Sequence, residues 1–373
     1  MERIEAALDD LYGARVEPMV RKKGELHCIG FYADFPDDRF IPGGESVLDR
    51  TVNLIGGILL SPDLLDGLLR SDYIESEKNN LIDDIRAGIN DKRGYSLDRL
   101  VEEMCAGEAY GVNRLGDENG VGAITPELLT DVYRNALSGL RIEIIYCGSE
   151  EPERVSSVLR RTLRSLPGRV DTEIPKTQVI LYPDKVPPRR FTETLDVTQS
   201  KLVVGFRLGR AMKDVPDYPA LLVLNAVYGS GETSKLFLNV RERLSLCYYV
   251  SSMIEMHKGI MLVASGVAFS SHETALSEIL AQLGHIKNGE ISEQELIAAK
   301  RAVVTAIKSA MDRPTGLVEL YFDSLIPAVC YDPAELCNEV ENVAPDRIVE
   351  TAAEIEPDSI YLLEGKGGGD SDP

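Results

Sequence analysis

Basic residues, paired cysteines and long apolar runs are all scarce in this chain of 373 residues. Lys and Arg number 40 against 61 Asp and Glu, and the resulting net charge of −21 would repel nucleic acid and anionic lipid. The six cysteines form no Cys-x-x-Cys pair and no metal-like cluster. No apolar run approaches about 20 residues, and residues 1–10 begin an acidic amphipathic helix rather than a signal peptide. We therefore expect a cytoplasmic protein that binds neither nucleic acid nor membranes, and whose natural partner is a basic or extended peptide.

The length of the chain exceeds that of a single hydrophobic core, so two domains are expected. A cluster of prolines interrupts regular structure in the middle of the sequence, at Pro167, Pro175, Pro183, Pro187 and Pro188. We predict an N-terminal domain at 1–170, a linker at 171–190, a C-terminal domain at 191–366 and a disordered tail at 367–373.

Hydrophobic periodicity predicts the individual elements of both halves. In the first half it indicates helices at residues 1–12, from 45 to before Ser61, at 75–90 and at 95–105. A glycine-rich surface loop at 111–122, a helix that begins at Pro126, a buried strand at 141–148 that includes Cys147, and a helix at 151–166 follow. In the second half it indicates strands at 179–181, 201–208, 248–256, 259–268 and 359–364. Helices are expected there at 218–228, 272–288, 292–311, 315–325 and 345–355.

The two halves repeat one plan, which is the most informative feature of the organisation. Lys23-Gly24 opens an apolar strand in the first half, as Lys258-Gly259 does in the second. Ser76-Glu77-Lys78 and Ser292-Glu293-Gln294 then begin corresponding helices. The fold class is therefore predicted to be α+β, with two homologous domains that each carry an antiparallel sheet with helices on one face.

The stretch from Tyr228 to Val250 contains the candidate functional residues. Gly229 and Gly231 permit a turn, Thr233 or Ser234 can cap the helix that follows, and this helix has apolar residues at Leu236, Val240 and Leu244. Arg241 and Tyr248 are predicted to point into one cleft. A phosphate loop is disfavoured, because Lys235 follows Ser234 rather than a glycine. The alternative is that the glycines serve only the helix entry and that Arg241 is an ordinary surface residue.

Taken with the repeat, the segments Gly-Ser-Gly, Ser-Lys-Leu and Val-Arg-Glu-Arg-Leu followed by Tyr resemble the insulinase, pitrilysin and mitochondrial processing peptidase family of zinc metallopeptidases. The resemblance covers nearly the whole chain. It implies two similar halves that close over an unstructured peptide, with Arg241 and Tyr248 binding substrate near the scissile bond.

The zinc site that the resemblance implies for active members is missing. Such members carry His-x-x-Glu-His on a helix, but His27, His257, His272 and His285 are all isolated from one another. The matching segments imply that the first strands and the metal-bearing helix of the family would precede Met1.

The third zinc ligand of the family is also altered. By resemblance, Asp84 occupies the position of its glutamate, and aspartate is one methylene shorter. Asp83-Asp84 is otherwise interpreted as a solvated helix face, and Glu77 as an exposed carboxylate that interacts with the helix dipole. We therefore expect no catalytic residue, no metal and no cofactor in this chain.

The interpretation that follows is a subunit without zinc that binds unstructured peptide and supplies Arg241 and Tyr248 to an active partner. That partner would be a homologous subunit that carries the zinc motif, in a heterodimer; a homodimer is the other arrangement considered. Two alternatives stay open: a peptide-binding or scaffold protein with no part in proteolysis, and a truncated form of a larger family member.

Overall fold

The computed structural model describes residues 2–166, 177–209, 218–326 and 331–365. The chain divides into two compact units. The first comprises Met1–Lys22, Leu26–Ile85 and Arg114–Pro175, and the second comprises Lys23–Glu25, Arg86–Asn113 and Lys176–Pro373. The predicted tail 367–373 and residues 171–176 of the predicted linker lie outside the described residues. The domain boundaries stay a prediction, and the segment Arg86–Asn113 groups with the second unit although it precedes the predicted linker.

The elements follow the predicted order over most of the described chain. The helices are α1 (Glu2–Asp9), α2 (Val47–Leu60), α3 (Ser71–Ala87), α4 (Lys92–Met104), α5 (Glu118–Gly122), α6 (Pro126–Gly139), α7 (Pro152–Thr162), α8 (Tyr218–Tyr228), α9 (His272–Lys287), α10 (Glu293–Met311), α11 (Pro314–Leu325), α12 (Pro333–Glu341) and α13 (Pro345–Ala353), with a π-helix at Leu236–Arg243. The strands are β1 (Arg15–Lys23), β2 (Leu26–Asp34), β3 (Leu64–Leu65), β4 (Leu68–Leu69), β5 (Arg189–Leu195), β6 (Ser200–Arg207), β7 (Cys247–Glu255), β8 (Ile260–Val267) and β9 (Glu356–Gly365). None of the helices that the structure describes combines the length and hydropathy needed to cross a membrane.

The first unit contains two small two-stranded sheets, β1-β2 and β3-β4, together with helices. Its helix ends are set by the predicted chemistry: the Thr125 hydroxyl accepts a hydrogen bond from the Leu128 amide at 3.2 Å, and Pro126 occupies the first position of α6. Its buried apolar residues form two small clusters, one around Leu11 and Val47 and one around Leu48 and Val155. The predicted surface loop at 111–122 is partly wrong, because α5 forms within it behind an Asp117 cap.

The prediction of a buried strand at 141–148 is wrong. Ile142 and Ile144 alternate as in a strand, but they are 37% and 49% exposed, and no described strand pairs with this segment. An extended segment without a neighbour cannot satisfy its backbone N–H and C=O groups within a sheet. Cys147 is accordingly exposed rather than buried. The short strand predicted at 179–181 is not formed either.

The second unit is built on a five-stranded sheet in the order β5-β9-β6-β8-β7. Four strands pair antiparallel as predicted, but β5 pairs with β9 in parallel. The sheet is therefore mixed, which corrects the prediction of a purely antiparallel sheet. β5 was missed because its sequence, Arg-Arg-Phe-Thr-Glu-Thr-Leu, is half polar and follows the prolines, and exposed positions alternate along it. α12 was also missed, although Asp332 caps it and Pro333 is its first residue.

Helices cover both faces of this sheet, not one as predicted. Leu202 and Val204 of β6 face the large core formed with α8, α9, α10 and α13. Val203, between them, faces a second core in which Leu100 and Met104 of α4 pack on the opposite side. Every residue of β6 is buried as a result. Strands that are buried on both faces have continuous rather than alternating hydrophobicity, as Leu-Val-Val-Gly-Phe does here.

The start of α10 is fixed by a capping box. The Ser292 hydroxyl accepts a hydrogen bond from the Glu295 amide, and the Glu295 carboxylate accepts one from the Ser292 amide at 2.8 Å. We expect Ser292→Ala to lower the free energy of unfolding by about 1 kcal/mol, measured by urea denaturation. Ser271→Ala is the matched control, because Ser271 precedes α9 without a side-chain capping bond; an equal loss in both variants would contradict the assignment.

A buried ion network joins the second unit's sheet to the segment after α4. Arg207 and Asp358 are each 2% exposed, and the Arg207 Nε donates to Asp358 at 3.0 Å. The Arg207 Nη2 donates to Glu108 at 2.8 Å, and the Lys258 Nζ lies 2.6 Å from the other oxygen of Glu108. Arg189 donates to Asp358 at 2.8 Å. Each buried charge of this network therefore has an opposite partner, which offsets the cost of burying ions.

This network predicts that acid destabilises the protein. Burial opposes ionisation of Asp358 and Glu108, but hydrogen bonds from Ser359, Arg189 and Arg207 to Asp358, and from Arg207 and Lys258 to Glu108, lower both pKa values below their usual range. A carboxyl with a lowered folded-state pKa stabilises the fold above its unfolded-state pKa of about 4 and loses that contribution as the pH falls below it. We expect the urea midpoint to fall steeply below about pH 4. A midpoint that is constant from pH 6 to pH 3 would contradict this prediction.

Candidate functional site

The turn that leads into the candidate site depends on two glycines for different reasons. Gly231 has a φ of 136°, a backbone conformation that favours glycine. Gly229 has no positive φ; instead a Cβ there would lie 2.7 Å from both a Leu236 methyl carbon and the Ser252 hydroxyl. The Gly229 carbonyl also accepts a hydrogen bond from the Ser252 amide at 3.0 Å. The turn is therefore held closely against β7.

The helix after this turn is a π-helix. Of the two predicted caps, Ser234 is the one used: its hydroxyl accepts from the Phe237 amide at 3.3 Å. The Leu244 amide donates to the Asn239 carbonyl five residues earlier at 3.2 Å, which widens each turn. Leu236 and Val240 are fully buried, whereas Leu244 is 42% exposed. The predicted apolar side is thus wrong at Leu244, because the wider turn moves it off the buried face.

Lys235, which the sequence disfavours as part of a phosphate loop, forms an ion pair with α10. Its ammonium lies 2.8 Å from the Glu295 carboxylate and its side chain is 9% exposed. The lysine is therefore engaged in attaching the helix start to α10.

Arg241 lies near the end of the π-helix with its side chain 41% exposed. Its guanidinium stacks on the Phe237 ring at 4.7 Å from the centroid, and its Nε lies 3.6 Å from Glu242. A cation held over an aromatic face keeps its charge and loses few hydrogen-bond donors. Sequence reasoning missed Phe237; its position four residues before Arg241 is the signal that could have indicated a contact along the helix.

Tyr248 lies at an irregularity in an edge strand. β7 is the last strand of the sheet, and its register with β8 shifts between Cys247 and Tyr249, so that Tyr248 is the extra residue of a β-bulge. Ser245, just before the strand, has a φ of 50°. Bulges commonly redirect a side chain near functional sites, and Tyr248 is 68% exposed. Its phenol is therefore available to a ligand.

Arg241 and the start of β7 are coupled electrostatically. Burial raises the pKa of the Cys247 thiol, a hydrogen bond with Ser265 opposes this rise, and the Arg241 charge opposes it too. The π-helix that carries Arg241 packs against β7. A single cleft shared by Arg241 and Tyr248 stays a prediction.

The predicted degenerate metal positions lie on α3 in the first unit. Glu77 and Asp84 are both exposed there, and Glu77 accepts a hydrogen bond from Asn80 at 3.5 Å. His27, on β2, is exposed, whereas His257 is buried and lies 3.7 Å from Asp323. No group of three or more His, Cys, Asp or Glu side chains among the described residues could hold a metal ion.

Comparisons with known proteins show what this chain is similar to. The family model described as the peptidase M16 inactive domain matches residues 123–303. The chain is 31% identical over 361 residues to the "Probable inactive metalloprotease YmfF" of Bacillus subtilis strain 168, an alignment that covers 97% of this chain and 84% of that protein. It is 24% identical to the "Antilisterial bacteriocin subtilosin biosynthesis protein AlbE" of the same strain, over 67% of this chain and 61% of AlbE. A solved structure of a conserved protein from Enterococcus faecalis V583 superposes with a TM-score of 0.88 at 25% identity, over 99% of this chain and 86% of that one.

Proposed function

We propose a substrate-binding role for this chain, which belongs to the peptidase M16 family of metallopeptidases as a member without the zinc-binding motif. In this role it holds an unstructured peptide at Arg241 and Tyr248 and presents it to a zinc-bearing homologous subunit. The partner supplies the metal, the water and the general base. The two subunits form a heterodimer in the cytoplasm.

The observation that supports this role best is the exposed Tyr248 on a bulged edge strand, against which the helix that carries Arg241 packs. An edge strand offers unpaired backbone N–H and C=O groups, which an extended peptide can pair with. A phenol and a guanidinium can donate hydrogen bonds to a peptide carbonyl and to the oxyanion that forms during cleavage. Stabilisation of the oxyanion is separable from activation of water, so the two tasks can reside in different subunits.

Peptide binding by the isolated chain tests the proposal. A fluorescein-labelled, unstructured basic peptide is titrated with the chain and its anisotropy is followed. We expect saturable binding that weakens about tenfold in Tyr248→Ala. This is about the affinity that is lost with one hydrogen bond between neutral groups and the contact of the tyrosine ring. Tyr321→Ala, which also removes a tyrosine that is 41% exposed, is the matched control. A chain that binds no peptide, or that binds equally in both variants, would contradict the role.

A further inference from the structure

The second unit's sheet carries a polar cluster on the face that α4 covers. The proposed function makes no use of this cluster. Lys201 of β6, Gly266 of β8 and Tyr249 of β7 lie in one row across three neighbouring strands. Gly266 has no side chain, and other groups crowd over it: a Cβ there would lie 2.5 Å from the Tyr249 ring and 3.1 Å from the Gln199 Oε1. The row therefore brings a lysine, a tyrosine and an amide together.

Arg93, in the first turn of α4, adds a second cation to the same place. Its guanidinium lies 4.9 Å from the centroid of the Tyr249 ring, and its Nη2 donates to the Ser251 hydroxyl at 2.9 Å. The Lys201 Nζ lies 5.6 Å from the centroid of the same ring. We call the four residues Arg93, Gln199, Lys201 and Tyr249 the Tyr249 cluster.

Lys201 has no anionic partner in the part of the chain that the structure describes, although it is only 8% exposed. Within the described residues no carboxylate lies at salt-bridge distance from its ammonium, in contrast to Lys235 with Glu295 and Lys258 with Glu108. Asp91 acts on Lys201 only at longer range, and its carboxylate is occupied in capping α4. Burial accordingly lowers the pKa of Lys201, which Asp91 opposes. A lysine buried to this degree without an anion is costly unless a ligand supplies the anion.

Gln199 supplies the complementary group. Its Oε1 is buried and accepts no hydrogen bond from the described residues, and buried acceptors are normally satisfied. The Tyr249 cluster thus offers two cations to an anion and one oxygen to a neighbouring N–H donor. A carboxylate that is attached close to a backbone amide has both features.

We propose that the Tyr249 cluster binds a carboxylate of an extended peptide, with Lys201 and Arg93 on the carboxylate and the Gln199 oxygen on the adjacent amide N–H. The carboxylate is either the C-terminal group of the peptide or the side chain of a Glu or Asp. Tyr249 directly follows Tyr248, so one peptide can reach both. This inference rests on the proposed function in taking a peptide as the ligand, and it adds that the peptide is selected for a carboxylate at one position.

Anisotropy titrations with three forms of one basic peptide test the inference. The forms are a free acid with one internal glutamate, the same peptide with a C-terminal amide, and the free acid with glutamine in place of glutamate. We expect one of the two altered forms to bind wild type at least about tenfold more weakly than the parent peptide, since hydrogen bonds to a charged group are among the stronger ones. The form that binds more weakly identifies the source of the carboxylate.

Lys201→Met removes the cation while keeping the length and the apolar stem, so the buried site stays filled. We expect it to weaken binding of the parent peptide about tenfold or more and to leave binding of the weakened form unchanged. Lys308→Met, which removes an exposed lysine of α10, is the control for net charge and should bind all forms as wild type does.

Equal binding of all three forms by wild type, or an equal loss of all three in Lys201→Met, would overturn the inference. If the carboxylate inference fails but Tyr248→Ala still weakens peptide binding, the proposed function stands without the inference. If no form binds to wild type, both fall.

Discussion

Asp358→Ala is expected to lower the free energy of unfolding by about 3–5 kcal/mol, because removal of one partner from a buried ion pair leaves the other charge uncompensated. Arg207 would keep its position at 2% exposure but lose the carboxylate that its Nε contacts at 3.0 Å. Arg189 would lose its contact with Asp358 as well. Urea denaturation followed by circular dichroism measures the loss.

Glu339→Ala is the matched control for this variant, since Glu339 is an exposed carboxylate of α12. We expect the control to stay within about 0.5 kcal/mol of wild type, as surface substitutions usually do. A loss below about 1 kcal/mol in Asp358→Ala would show that the network carries far less stability than its burial implies.

Arg241→Ala is expected to lower kcat/KM for peptide cleavage about 100-fold when the variant is mixed with a zinc-bearing homologue. Loss of one preorganised donor to an oxyanion typically costs 10²–10³ in rate, or about 2.7–4 kcal/mol. The Phe237 ring holds the guanidinium in place, so its geometry is set before the substrate binds. Cleavage of a quenched peptide by the mixture is the measurement.

Arg243→Ala provides the control for Arg241→Ala. Arg243 lies two residues away, is more exposed at 62%, and pairs with Glu278 at 3.4 Å, so its loss changes the net charge equally without touching the candidate site. An equal effect of both variants, or no effect of either, would argue for a peptide-holding role that contributes nothing to cleavage.

Much of the second unit was predictable because local pattern and tertiary context agree there. The apolar run from Tyr218 to Tyr228 forms the helix α8 as predicted, and the two runs on either side of Lys258-Gly259 form the β7-β8 hairpin. Ser292 and Glu295 form a capping box, and α10 begins at Glu293, one residue after the predicted start. Each of these signals is local, which is why sequence alone sufficed.

The errors arise where structure depends on a distant neighbour. The segment 141–148 has the alternation of a strand but no described strand pairs with it, whereas polar β5 forms because β9 supplies a parallel partner. The coverage of the second unit's sheet by α4 depends on a chain segment about 100 residues earlier than β6. Periodicity carries no information on such pairings.

The candidate site shows the same division. The sequence alone identifies the candidate residues, namely Gly231, Ser234, Arg241 and Tyr248. Its geometry was not: the π-helix that exposes Leu244 and the bulge at Tyr248 are departures from ideal periods. The roles of Arg241 and Tyr248 stay predictions.

The most direct test of the central proposal is zinc-dependent cleavage of a quenched, unstructured basic peptide by this chain, alone and mixed with a zinc-bearing homologue at rising ratios. We predict no cleavage by the chain alone. In the mixture we predict a rate above that of the homologue alone, and this rate should reach a plateau once all of the homologue is in the heterodimer. The Arg241→Ala/Tyr248→Phe double variant should not raise the rate above that of the homologue alone. Zinc-dependent cleavage by this chain alone, or a mixture rate equal to that of the homologue, would contradict the account.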